Sequence, residues 1–253
     1  MSVQLNSLVE YCDELLQSAK VRDYCPNGLQ VEGRSEVKRI ITGVTACQAL
    51  LDEAVAWQAD AVLVHHGYFW KGEESAVVGM KQRRIKTLLK HDISLIGYHL
   101  PLDIHPELGN NAELARLLGF ETEGGLEQDN PMSVGLVGRL EQPMSLDELQ
   151  RHIAAVLNRE PLAISGGDHL IETVAWCTGG AQGYIDQALA RGVDAYISGE
   201  ISEPTVHTAR ECGIHYVAAG HHATERYGVQ ALGEHLAARF GIEHRFFDVD
   251  NPV

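Results

Sequence analysis

The chain has 253 residues, 45% of them hydrophobic and 22% charged, which suits one large or two smaller globular domains and excludes a disordered, collagenous or fibrous chain. Its 20 basic and 35 acidic side chains give a net charge of −15, which argues against general nucleic-acid binding on a basic surface, although a nucleotide could still be held through bound cations. No apolar run reaches the ~18 residues of a membrane span, and the opening MSVQLNSLVEYCDELL lacks the basic-then-apolar pattern of a secretory leader.

Helical and strand patterns alternate from the start. Leu5, Leu8, Val9, Cys12, Leu15, Leu16 and Ala19 recur at a helical period and predict a helix over 5–19. Pro26-Asn27-Gly28 marks a turn. A strand is expected at 39–44, a helix at 48–57, and a short buried strand at 61–64 that stops at His65-His66. A helix at 81–90, a strand at 93–97 leading to His99, and a helix at 110–118 follow. The polar, turn-rich stretch 121–132 reads as a boundary, giving a metal-site-bearing domain of 1–126 plus 220–253 and a second domain of 127–219.

In the second segment a strand is expected around 134–140. Ser145-Leu146-Asp147-Glu148 is a capping box, opening a helix to about 157. A strand at 174–177 leads through Thr178-Gly179-Gly180 into a helix ending at 191. A strand at 195–198, a helix at 203–211, a strand at 214–218, a long helix after His221-His222 and a last strand at 244–249 complete the pattern. Strands separated by helices predict an α/β fold of largely parallel sheets flanked by helices.

The two segments resemble each other. Leu51-Asp52-Glu53-Ala54-Val55-Ala56 parallels Ile185-Asp186-Gln187-Ala188-Leu189-Ala190. Eight residues beyond each leading aspartate stands a second Asp-Ala pair, Asp60-Ala61 and Asp194-Ala195, opening a short apolar strand. The first of these strands runs to His65-His66 and the second to Ser198-Gly199-Glu200. The matched spacing predicts a duplicated α/β unit.

Five cysteines, at 12, 25, 47, 177 and 212, form no CxxC pair and read as free thiols in a reducing cytoplasm. Histidine is abundant, with 13 copies. Some will cap helices or satisfy core hydrogen bonds, but two adjacent pairs follow predicted strands, where parallel sheets bind ligands. A turn at Gly67 would let His65 and His66 serve one cluster. His221 and Glu225, four apart at a helix start, share a face. Asp103 follows Leu100-Pro101-Leu102 and adds a hard oxygen. His65, His66, Asp103, His221 and Glu225 together suit borderline divalent metals such as zinc, manganese, iron or nickel. Five ligands exceed the three of a single open catalytic zinc and fit two ions about 3.5–4 Å apart, with Glu225 as the bridging carboxylate.

The strings PNGLQVEG (26–33), VTACQALLDEA (44–54), HHGYFWKG (65–72), HLPLD (99–103), NNAELA (110–115) and GHHATER (220–226) closely resemble the YbgI-like dinuclear metal proteins of the Nif-three-like family, the GTP cyclohydrolase 1 type 2 homologues. The resemblance covers nearly the whole chain. It implies a two-domain α/β fold, a toroidal homohexamer built as a trimer of dimers, and two metal ions held by the same five residues. It also implies that His99 lies close to the metals.

The leading functional expectation is a metal-dependent hydrolase, cyclohydrolase-like, that uses a metal-activated water on a purine nucleotide. Imidazoles titrate near about pH 6.5, so His99 is a candidate proton shuttle; its other reading is support for Asp103 or a backbone group. Damaged nucleotides or phosphoesters are alternative substrates. A metal-loaded ring acting as a non-catalytic adaptor is the alternative of another class. Thr178-Gly179-Gly180 reads as a tight strand-to-helix turn, with phosphate cradling as its second reading. Tyr68, Phe69 and Trp70 read as loop packing before base stacking. Glu200 lines the site or bonds a ligand, and Asn27 and Gln30 supply turn chemistry.

Overall fold

The structure is a computed structural model describing residues 1–253. The chain divides into two compact units, Met1–Gly109 with Gly228–Asp250, and Asn110–Tyr227 with Asn251–Val253.

The first unit contains β1 (Val3–Gln4), α1 (Leu5–Leu15), β2 (Gly28–Val31), β3 (Glu36–Val37), β4 (Arg39–Thr45), α2 (Gln48–Ala56), β5 (Ala61–His66), α3 (Gly79–Lys90), β6 (Ser94–Gly97) and α4 (Leu100–Ile104). The second holds α5 (Asn110–Leu118), β7 (Phe120–Gly125), β8 (Leu136–Met144), α6 (Leu146–Leu157), β9 (Leu162–Ile164), β10 (Ile171–Cys177), α7 (Ile185–Arg191), β11 (Ala195–Ser198), α8 (Glu203–Cys212) and β12 (His215–Ala218). Helix α9 (His221–Phe240) begins in the second unit and ends in the first, which β13 (Glu243–Phe246) completes.

In the first unit the strand order is β13-β4-β5-β6-β2, parallel except for β2, which runs antiparallel to β6. Ile40-Ile41, Ala61 to Val64 and Leu95-Ile96 are buried as continuous runs, because helices cover both faces. Leu5, Leu8 and Cys12 of α1, with Val229, Leu232 and Leu236 of α9, pack on one face; Leu50, Leu51 and Leu88 of α2 and α3 pack on the other.

The second unit has the order β7-β8-β10-β11-β12-β9, with a parallel centre of β10, β11 and β12 and antiparallel strands outside it. Alternation along β10 separates two cores: Val174 and Trp176 meet Leu149 and Ile153 of α6, whereas Ala175 and Cys177 meet Ile185 and Ala188 of α7.

The duplication is visible in hydrogen bonds as well as in strand order. Asp60 Oδ2 accepts from the N–H groups of Lys38 and Arg39 at 2.7 and 2.9 Å; Asp194 Oδ2 accepts from those of Glu172 and Thr173 at 3.0 and 2.8 Å. Each aspartate therefore satisfies backbone donors at the start of the preceding parallel strand. Gly33 N–H donates to Ser94 Oγ at the head of β6, and Gly166 N–H to His215 Nδ1 at the head of β12. Thus β4, β5, β6 and β2 correspond to β10, β11, β12 and β9, and His66 corresponds to Glu200.

Burial pushes the Asp194 carboxyl up, but its bonds from Thr173 and Glu172 outweigh that and hold it below the usual carboxylate value. A depressed folded pKa contributes stability above the unfolded value, lost as pH falls through the folded one. Asp194→Asn is thus expected to lower the melting temperature most near pH 7, with the gap from wild type closing below about pH 4. A gap independent of pH in thermal melts would contradict this account.

Several elements differ from the sequence expectation. Helix α1 stops at Leu15 because Gln17 takes a left-handed φ of 51°, and a 3-10 turn covers Ser18–Lys20. Strand β2 follows directly on the turn read at Pro26-Asn27-Gly28, where no strand is expected; it has four residues and a register shift between Leu29 and Val31, so it carries no alternation signal. Strand β7 occupies part of the polar boundary stretch and buries only Phe120 fully, as a sheet edge allows. The Ser145 capping box is present, with Glu148 N–H donating to Ser145 Oγ and Ser145 N–H to Glu148 Oε2. No helix is long and apolar enough to cross a membrane.

Candidate metal centre

In the first unit, β5 extends through His66, so both histidines stand on the last two positions of the strand instead of beyond it. His65 is fully buried, and its Nδ1 lies 3.0 Å from the Tyr98 carbonyl oxygen. A carbonyl only accepts, so Nδ1 carries a proton and Nε2 is the nitrogen turned to the rest of the site. That Nε2 is 3.5 Å from Asp103 Oδ1. His66 is tied through Nδ1 to Thr45 Oγ1 at 3.1 Å, and its ring centroid is 4.6 Å from that of His65.

Asp103 is buried on α4, a short helix with Pro101 in its first turn, where the missing proline N–H costs nothing. His99 precedes it. Asp23 Oδ1 lies 2.7 Å from His99 Nδ1, and Asn27 Oδ1 accepts the His99 backbone N–H at 2.8 Å. Burial pushes Asp23 up, but the bonds from His99 and Asn27 bring its carboxyl down to about 2. Donor atoms of His65, His66 and His99 lie within 4.8 Å of one another.

Gly67 has no positive φ; its requirement is space. A Cβ there would sit 2.1 Å from Gln30 Oε1, which accepts the Tyr68 N–H at 2.7 Å while Gln30 Nε2 donates to Pro26 O. Tyr68 is buried with its hydroxyl on Ala46 O, and Trp70 stands edge-on to His99 at 4.9 Å. Tyr68 and Trp70 therefore pack the loop that follows the histidine pair.

In the second unit, His221 opens α9. Its Nε2 lies 3.1 Å from Glu225 Oε2, one turn on, and its Nδ1 lies 2.7 Å from Glu200 Oε1. Glu225 is buried. Burial lowers the His221 pKa, but the two carboxylates outweigh it and push the imidazole up to about 9. A proton and a cation thus compete for Nε2. Gly179, at φ 69°, lies against this pair: a Cβ there would fall 2.1 Å from Glu225 Oε1 and 3.1 Å from His221 Nε2. Gly179 N–H donates to Thr224 Oγ1, so the glycine turn packs on the first turn of α9.

His65, His66, His99 and His221 share one pattern. Each is held through Nδ1 by Tyr98 O, Thr45, Asp23 or Glu200, which leaves Nε2 to the donor set. Metal-ligating imidazoles are oriented in this way, because the outer hydrogen bond fixes the tautomer and raises ligand basicity. In each unit, imidazole nitrogens beside a buried carboxylate, Asp103 in the first and Glu225 in the second, are donors suited to borderline divalent cations, whose charge offsets carboxylate burial. Sequence analysis did not single out Asp23 or Thr45. Their only signals are the neighbouring motifs that begin at Pro26 and Val44.

The profile of the Duf34/NIF3 (NGG1p interacting factor 3) family matches residues 3–252. The chain belongs to the Duf34/NIF3 family. A Pseudomonas aeruginosa relative named GTP cyclohydrolase 1 type 2 homolog is 64% identical over 253 residues, covering all of both chains. An Escherichia coli relative of the same name is 54% identical over 247 residues, 97% of this chain and 98% of its own. Among solved structures, protein ybgI, of unknown function, aligns at a TM-score of 0.96 and 53% identity over 99% of this chain and all of its own. A Thermus thermophilus structure aligns at 0.89 and 34% identity, with the same coverage. The Duf34/NIF3 fold of two similar α/β units is therefore shared by these neighbours.

Proposed function

We propose that His65, His66, Asp103, His221 and Glu225 together hold two divalent metal ions, zinc, manganese, iron or nickel, and that the chain is a hydrolase of purine nucleotides, GTP cyclohydrolase-like. The observation that carries the reading is the shared Nδ1 anchoring of the histidines, which presents Nε2 beside buried carboxylates. The name borne by the Pseudomonas and Escherichia relatives supports the choice of nucleotide.

Bound divalent cations supply Lewis acidity, acidifying water and offsetting negative charge on the substrate. The protein's own residues do the rest. Glu200 and Thr45 orient His221 and His66. Asp23 holds His99 by Nδ1, so His99 Nε2 is the atom that takes and returns a proton during attack on the purine ring. Trp70, packed against His99 and donating through Nε1 to Gly67 O, restricts the ring's motion. The homohexamer implied by the resemblance belongs to the same reading.

Elemental analysis of protein purified without chelator is expected to give about two metals per chain, and this preparation is expected to turn over GTP. A chain that takes up none of zinc, manganese, iron or nickel would overturn the reading and bring forward the non-catalytic adaptor.

A further inference from the structure

A cavity of about 440 Å³ opens in the second unit outside the carboxyl ends of β11 and β12, the end of a parallel sheet where ligands bind. One wall is Glu200, the carboxylate that holds His221. Leu162, Ile201, Ala218 and Pro252 give apolar surface; Leu162 and Ala218 are register partners across β9 and β12. Leu162 is 53% exposed, so its side chain is open to the cavity. Arg159 supplies the cation. It follows Asn158, the left-handed residue that ends α6, and donates through Nη2 to Pro252 O at 2.7 Å. Its guanidinium lies over Gly220: a Cβ on Gly220, at φ 102°, would stand 2.7 Å from Arg159 Nε. The residue before His221 is therefore one that admits Arg159.

The charge count decides what such a cavity takes. The cavity is lined by the carboxylates of Glu160 and Glu200 and by one guanidinium, with Glu160 Oε1 also accepting from Gln150 Nε2, so negative charge exceeds positive and disfavours a phosphate group. Apolar walls with a few convergent polar groups suit a flat ring. Arg159 keeps N–H donors beyond the one spent on Pro252, and Glu200 keeps an acceptor oxygen beyond the one on His221. A ring with both acceptors and donors on its edge meets both. Guanine has them: O6 and N7 accept from an arginine fork, and N1–H and the 2-amino group suit a carboxylate. We propose that this cavity is the base pocket for a guanine-type purine, with Arg159 as its specificity-determining residue. The proposal rests on the hydrolase reading for its link to chemistry, since Glu200 joins the pocket to His221.

The test is calorimetric titration of the metal-loaded full chain with guanosine and, separately, adenosine, for wild type, Arg159→Met and Leu162→Trp. The methionine keeps an apolar stem, and tryptophan at a half-exposed position fills the cavity without disturbing a core. Guanosine is expected to bind wild type in preference to adenosine. Arg159→Met is expected to weaken guanosine by about tenfold or more and erase the preference. Leu162→Trp blocks binding, and metal content is the same in all three. Equal guanosine affinity in wild type and both variants, no guanosine binding to wild type, or displacement by inorganic phosphate alone would each overturn the pocket. Arg159-dependent guanosine binding by a chain that does not turn over GTP leaves the pocket standing and removes the reaction. GTP turnover with an unchanged KM in Arg159→Met does the reverse.

Discussion

His66→Ala and Glu225→Ala are each expected to lower metal content to one or none per chain and to cut turnover by at least ~100-fold, the upper end of what outer-shell partners alone cost. The two residues act from different units, His66 at the end of β5 and Glu225 in the first turns of α9. Parallel losses of turnover from both variants would therefore show that the reaction needs both donor sets. Far-ultraviolet circular dichroism should stay at the wild-type value, because the sheet cores are built without either side chain. Full turnover in both variants would reject the metal-water chemistry.

The second large effect concerns one atom. Gly179→Ala adds a Cβ that would stand 2.1 Å from Glu225 Oε1, on a residue whose φ of 69° already disfavours a side chain. The backbone strain alone costs about 1–2 kcal/mol, and the carboxylate must move as well. Metal affinity is expected to fall at least tenfold, with a melting temperature several degrees lower. Gly183→Ala, four residues on, is the matched control: nothing lies within 4 Å of its added Cβ and its φ is negative. It should melt and bind metal as wild type does. Equal losses from both would mean that the segment Thr178 to Gly183 acts as a flexible loop, and that the approach of Glu225 is not what requires Gly179.

The candidate donors were legible as residue types because their signals are local. His65-His66 closes an apolar strand, and His221 and Glu225 share a helix face by their spacing alone. The duplication was legible for the same reason, since Asp60 and Asp194 stand at matching distances from matching helices, and the structure gives both the same backbone bonds. The parallel strands were legible as runs buried on both sides. Strands β2, β7 and β9 were not, because short or edge strands bury too little to impose a pattern.

What holds the donors was hidden. Asp23 reaches His99 across 76 positions, Tyr98 O reaches His65 across 33, and Glu200 reaches His221 across 21. No periodicity links such pairs, because the chain meets itself there only after the sheets have formed. The reason for each glycine was hidden likewise: Gly67 and Gly179 are needed less for what their own backbones do than for Gln30 and Glu225, which fold against them. Sequence alone determined the fold class, the repeat and the chemical types of the candidate donors, since these follow from local pattern. Tertiary structure decided which nitrogen each imidazole presents and which carboxylates stand behind them. Orientation is set by hydrogen bonds and packing between segments distant in the chain.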